Sequence, residues 1–452
     1  MRIKRCLTMC LIISLFASHA FAYDKVLKIC GKGAAGDLEN QLFAQMYPEV
    51  GWEGSDRLGV MNASDLVTVL LTKEAYDLYA IPYSNCHFEA VLSKKYAMDV
   101  SADAAIKALS SRMYPFIQDA LMEQDAIYGI PVGLACSQWG YSPEAWQMVQ
   151  EIFHVELPET YEELFAFIGW WIDEGQYEFP QILLARNAPD NQLVIAQNLT
   201  DHLLDVVWKH QNPDLLNDPA IMKIYEMLES LDFDQLQPYI AMEGGDEASY
   251  YLFDVSLDWM SLAEYPDERV YLPMPIAFGT DIPVEIPVDM RLFFINRDSE
   301  LKQEAINYLS CFLACRDDLF AITVYDAPHD PVINPWLTDV LERKRQELAA
   351  IEHAAAQGID DGVDQAMQVE ALSARIAELE QHQWLVSADR IALYQALAPT
   401  FFIRQYDPLS SSTDGSGNMI DSYVQSFVQG KLKGRELLQN IFDIVHMVIQ
   451  EN

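Results

Sequence analysis

Residues 127–141 read IYGIPVGLACSQWGY. A β-branched and aromatic run over 125–132 has strand character. Small residues follow, and then two aromatics, Trp139 and Tyr141. In isolation this is a strand and a turn, so its meaning depends on what the rest of the chain places on either side.

The amino terminus has the pattern of a targeting segment. Arg2, Lys4 and Arg5 precede a short apolar run over 6–17, and Ala20-Phe21-Ala22 is a small-x-small cleavage site. Cleavage after Ala22 would start the mature chain at Tyr23. Cys10 lacks the Leu-Ala-Gly-like triplet of a lipid-anchor site, so a periplasmic or secreted protein is expected. No later run of 18 or more apolar residues occurs. Loss of 1–22 moves the formal charge from −39 to −42. A field that negative disfavours nucleic acid and anionic membranes and solubilises the surface. The remaining 430 residues exceed what one core accommodates, so two or more domains are expected. Five cysteines persist: Cys30, Cys86, Cys136, Cys311 and Cys315. With an odd count and no CxxC, they read as buried small residues more than as a disulfide framework or metal site.

Working outward, 26–30 (VLKIC) is a strand followed by a turn with Gly31, Gly33 and Gly36, and Asp37 as cap of a helix over 38–46. The GxGxxG spacing lacks the strand ending in Asp or Glu ~20 residues later that a dinucleotide site requires, so the turn is read as the lip of a cleft. A second strand over 76–82 ends at Tyr83 and Ser84, and strand ends are where open α/β sheets bind ligands. A helical stretch is expected over 101–123. Thr160 with Glu163 three residues on predicts a capped helix from Tyr161. Aromatics at 250, 251, 253 and 259 suggest a helix over 250–260. Pro273, Pro275, Pro283 and Pro287 stiffen 270–290 as extended chain, a buried strand follows over 291–296, and Asp298-Ser299 precedes a helix over 301–314. Leucines and isoleucines at 337, 341, 348, 351, and again at 372, 376 and 379, predict an antiparallel helical hairpin over 334–386, with arms of about 30 Å. A polar loop over 410–418 leads to a closing helical region over 419–449.

Four segments carry a family resemblance: Tyr128-Gly129-Ile130-Pro131-Val132; Pro158-Glu159-Thr160-Tyr161-Glu162-Glu163-Leu164-Phe165, similar to a "P-x-T-w-d-E-l" helix start; 294–305, similar to an "I-N-x-x-S-x-x-K-x-x-A" strand and helix; and 423–436. Together they resemble the extracellular solute-binding proteins of ABC importers, family 1, the maltose-binding-like group. Glu300-Leu301-Lys302 departs from the usual Lys-Asn-Lys, and the hairpin is absent from most of the family. The resemblance implies an α/β, two-lobe periplasmic-binding-protein type II fold with the hairpin inserted. Lobe one would be 23–132 plus 285–333, lobe two 133–284 plus 387–452, and the insertion 334–386. Hinge motion near 132–136 and 283–289 would close the lobes on a small ligand, expected to be a sugar, for delivery to ABC permease membrane subunits.

Candidate contacts are Tyr83 and Ser84 at a strand end; Ser137, Gln138, Trp139 and Tyr141 after the crossing strand; and Asp258 with Trp259. Flat apolar rings suit the C–H faces of sugars, and the polar groups suit their hydroxyls. Trp139 could equally fill a lobe core. Arg291 suggests a salt bridge more than an anion site. No catalytic, cofactor or metal site is expected: GxSxG and HExxH are absent, and His202 and His210 lie eight apart. Rival readings are an exported glycan-active enzyme and a protein-interaction module working through the hairpin.

Overall fold

The apolar runs of this chain become strands buried on both faces. In the computed structural model, residues 23–31, 38–55, 63–72, 75–178, 182–184, 188–236, 251–264, 270–356, 365–381, 383–409 and 419–451 are described. The segment 1–22, the glycine turn 32–37 with Asp37, and the loop 410–418 lie outside them.

The first sheet holds the parallel strands Lys25–Cys30, Val50–Ser55 and Leu78–Pro82, then Ile286–Ile295 antiparallel to the third. Ile130–Ala135 flanks the far side of Ile286–Ile295, and Phe401–Ile403 runs parallel to its first residues. The parallel strands need crossovers, which the helices Leu38–Met46 and Ala63–Leu70 provide. Side chains alternate across the sheet. Leu78, Ala80, Phe293 and Ile295 pack with Phe43, Tyr308 and Phe312 on one face. Tyr79, Ile81, Leu292 and Phe294 pack with Phe88, Val91 and Ile117 on the other. Burial of both faces explains the unbroken apolar sequence of the central strands.

The second sheet has the order Leu272–Pro273, Ser137–Tyr141, Tyr251–Asp258, Ile182–Leu184. The helices Pro143–Phe153, Tyr161–Trp170, Pro219–Ser230 and Gly434–Glu451 contribute to its core. The predicted capping box is present: Thr160 Oγ1 accepts from Glu163 N, and Glu163 accepts from Thr160 N. The expected helix over 250–260 is instead the strand Tyr251–Asp258. Its aromatic spacing looked helical, but pairing with both neighbours, out of reach of any local pattern, decides its conformation. The stretch 101–123 divides into Ala104–Ser110 and Pro115–Leu121, with Pro115 opening the second helix. Lys302–Ala314 forms without a side-chain cap from Leu301; Ser299 Oγ accepts from Leu301 N and donates to Asp77.

The two sheets meet at one residue. Ala135 pairs with Asp289 in the first sheet, and Ser137 pairs with Asp258 in the second. Cys136 between them receives Trp259 N on its carbonyl at 2.8 Å. Ile391, Tyr394, Ala398 and Phe401 join the core that contains Tyr114 and Ile117, rather than that of the second sheet. The helices Pro335–Ala356 and Gln365–Gln381 pack through Leu337, Leu341, Ile376 and Leu379, and a strand pair, Val332–Ile333 with Trp384–Val386, ties their base. Among the described residues Cys136, Cys311 and Cys315 form no disulfide.

Candidate functional site

The strand Leu78–Pro82 ends against the crossing strands, and Tyr83 N donates to Met290 O at 2.8 Å. Tyr83 is buried, with its ring 5.5 Å from that of Phe88, and Ser84 beside it is buried too. Ser137 is exposed and donates to Ser256 O, while Gln138 is buried. Trp139 is only 1% exposed, enclosed in the second core edge-on to Phe253. Tyr141 is half-buried against the same core. The Asp258 carboxylate accepts from Cys136 N and Met260 N, so it shapes the turn at the sheet junction. Trp259 is 3% exposed, donates to Trp139 O at 3.1 Å and packs against Phe401. Both indoles are therefore packing elements here, and neither offers a free ring face.

Of these residues, Tyr83 lines a cavity of about 570 Å³ between helix Pro115–Leu121, strand Phe401–Ile403 and the end of helix Ala188–His210. Asp258 and Trp259 line a separate crevice of about 20 Å³, room for a water at most. Phe401 walls both spaces. Ser84, Ser137, Gln138, Trp139 and Tyr141 border neither. The larger cavity has the size of a small-molecule site. Its walls are the rings of Tyr83, Tyr114, Phe116, Phe401 and Phe402, with polar groups from Asp119, Asp326, Lys209, Gln395 and Gln405. The sequence reading missed most of this set. Tyr114-Pro115-Phe116 fell inside a stretch taken as one helix, whereas Pro115 marks a helix start that turns both flanking rings towards the cavity. The aromatic pair Phe401-Phe402, two residues after Pro399, is the other available signal.

Behind the cavity, charged groups tie the last turns of Ala188–His210 to the crossing chain. Glu285 accepts from Lys209 at 2.6 Å and pairs with His210 at 2.7 Å. His202 is buried between Tyr161 Oη and Glu285 O, and burial lowers its pKa to about 4, so it is neutral. Arg404 reaches Asp205 at 2.9 Å and Asp289 at 2.7 Å, while its own N–H donates to Val288 O. Burial pushes Asp205 up to about 7 against the pull of Arg404, with Asp201 and Asp289 adding to the rise. Arg404 gains further basicity from its carboxylate neighbours despite burial. On the other side of Tyr83, burial raises the Glu89 carboxyl to about 7. Arg291 meets the Gly31 carbonyl, neither a carboxylate nor an anion site. Among the described residues no three His, Cys, Asp or Glu side chains are placed to hold a metal, and no helix is long and apolar enough to cross a membrane.

No family model and no curated protein sequence matches this chain. Solved structures do. The galacto-N-biose-/lacto-N-biose I-binding protein of the ABC transporter from Bifidobacterium longum, in complex with lacto-N-biose, is 12% identical, with 94% of this chain and 97% of that one covered at a TM-score of 0.52. An ABC substrate-binding protein from Listeria monocytogenes in complex with cycloalternan is 13% identical over 94% and 100% of the two chains, with a TM-score of 0.48. A solute-binding protein of an ABC transporter from Agrobacterium radiobacter, in complex with ribitol, is 14% identical over 94% and 99%, with a TM-score of 0.47. The first of these likenesses shows the fold: an α/β, two-lobe binding-protein scaffold of type II.

Proposed function

We propose that the protein is an exported solute-binding protein that captures a small hydroxylated ligand, a carbohydrate in the broad sense, by lobe closure and passes it to an ABC permease without covalent chemistry. The observation that carries this reading is the 570 Å³ aromatic and polar cavity beside Phe401–Ile403, the strand that pairs with the start of Ile286–Ile295. Rings provide flat apolar faces and the side-chain amides and carboxylates provide hydrogen bonds, the two demands of a sugar. The fold shared with the lacto-N-biose complex supports it. The lobes correspond to about 23–132 plus 285–333 and 133–284 plus 387–452, with 388–403 at their joint and 334–386 as an added hairpin. Tyr83 is the ligand contact among the residues singled out from sequence. Ser84, Ser137, Gln138 and Tyr141 would become contacts only through closure, and Asp258, Trp139 and Trp259 hold the joint. Residues 1–22 would direct the chain to the periplasm or outside the cell.

A thermal-shift screen of the mature chain against sugars, polyols, amino acids, peptides and polyamines tests this. A ligand binding only the folded state stabilises it by about 2.7 kcal/mol at a hundredfold excess over Kd. The expected result is a hit that leaves the ligand chemically unchanged and that Tyr83→Ala weakens. Turnover of the ligand would overturn the binding reading in favour of an enzyme, and a screen flat for every class would overturn it in favour of an interaction role for the hairpin 334–386.

A further inference from the structure

Resting on the cavity as the ligand site, we propose that the ligand is held there through a protonated primary amine. Five aromatic rings line the space, and the negative face of each attracts a cation. One wall already carries an ammonium: Lys209 Nζ lies 4.5 Å from the centroid of the Phe402 ring. The charge of Lys209 is answered by Glu285 at 2.6 Å. No other cation lines the cavity, whereas Asp119 and Asp326 both do. The carboxylates of Asp119 and Asp326 make no ion pair among the described residues, so the cavity has negative charge in excess.

A second observation points the same way. Tyr114 is 3% exposed, and its hydroxyl has no hydrogen-bond partner at bonding geometry among the described residues. One of the two Gln395 amide N–H groups is committed to Ala327 O at 2.9 Å. An ammonium has three N–H donors and no acceptor. The phenol oxygen of Tyr114 and the two carboxylates are acceptors, and the rings take the remaining face. A uronate brought to the same place would meet two carboxylates with its own, a built-in rejection. A neutral sugar would leave the excess charge without a counterpart.

Two sources present a primary amine of suitable size: amino sugars and linear polyamines. Calorimetric titration of the mature full-length chain at pH 7 with matched pairs separates them: glucosamine against glucose and N-acetylglucosamine, galactosamine against galactose, putrescine against 1,4-butanediol, and glucuronate as the anionic control. At least one amine is expected to bind tenfold or more tighter than its neutral partner, with glucuronate silent. The double substitution Asp119→Asn and Asp326→Asn should weaken that binding at least tenfold. Both side chains are exposed, so the melting temperature of the ligand-free variant should be unchanged. Binding of the amino sugars alone assigns a sugar amine, and binding of putrescine alone assigns a polyamine. Equal binding of glucose and glucosamine would overturn the amine while keeping the transport reading. Retained amine affinity in the double variant would overturn the carboxylate contact. If the amines and the neutral compounds are silent here and in the broader screen alike, the solute-binding reading fails with it.

Discussion

Tyr114 places a hydroxyl where no protein group completes its hydrogen bond, an arrangement that costs about 1–3 kcal/mol in a ligand-free protein. Tyr114→Phe should therefore leave the unliganded chain as stable as before or more so, while weakening ligand binding about tenfold; urea unfolding and titration of the same variant read the two effects separately. A loss of stability would mean that the hydroxyl is satisfied within the protein. Asp205 poses a related test with a pH axis. Burial holds its folded pKa at about 7, above the ~3.9 of an unfolded aspartate. Between those values the folded state binds more protons than the unfolded one, so the contribution of Asp205 to stability falls as pH rises from about 4 to 7 and then stays low. Asp205→Asn imitates the protonated form. It should match the wild type near pH 4 and exceed it by on the order of 2 kcal/mol at pH 8, measured by urea unfolding across the range. A variant less stable at pH 8 would show that the ionised Asp205–Arg404 bridge outweighs the cost of burial. Neither residue stood out in the sequence: a lone Tyr before a Pro and one Asp in a long helix acquire meaning only from neighbours that lie far away in the chain.

Elements were legible where their cause is local. The Thr160/Glu163 box sets a helix start within four residues, and the structure has it. The same holds for the heptad-like leucines of Pro335–Ala356 and Gln365–Gln381, which meet as an antiparallel pair. The strand Tyr251–Asp258 was illegible because its partners, Ser137–Tyr141 and Ile182–Leu184, are about 70 to 120 residues away. Gly140 shows how such a pairing is secured: a Cβ there would lie 2.4 Å from Leu257 Cδ2, beside the irregular register between Gln138 and Gly140. For the candidate site, the strand-end rule points to Tyr83, which lines the cavity, whereas sequence alone leaves Trp139 and Trp259 open between ligand contact and core packing. Both are packed on their ring faces, which composition alone does not distinguish from a binding surface. At this scale Thr160→Ala should cost about 1 kcal/mol, the usual loss on removing an N-cap, visible as a lower urea midpoint with an unchanged slope. Thr160→Ser should restore it, since the hydroxyl and not the methyl makes the bond.

Two cores of this size could melt independently, and what couples them is the joint through which the chain passes. Trp259 spans it by hydrogen bonding to Trp139 O on one side and packing on Phe401 on the other. Arg404 spans it electrostatically, holding Asp205 of the second-lobe helix and Asp289 of the crossing strand with one guanidinium. Under the proposed function, closure around a ligand would rotate the lobes about the same few residues, so the joint would have to be strong enough to transmit unfolding yet local enough to hinge. Arg404→Leu tests that coupling. It strands the buried Asp205 beside Asp289 without a cation, a change that costs roughly 3–5 kcal/mol when a buried pair is broken. The loss falls on the contact between lobes and not on either core. Calorimetry of the ligand-free chain should show a single cooperative transition in the wild type and two resolved transitions in the variant, the two-state condition failing once the lobes uncouple. Adding Asp205→Asn to Arg404→Leu removes the stranded charge and should recover a large part of the loss in melting temperature, because residues in one ionic network are not additive. A variant that melts as one transition at a lower temperature would show instead that Trp259 and the paired strands Ile286–Ile295 and Phe401–Ile403 suffice to couple the lobes, leaving Arg404 a local contribution to stability.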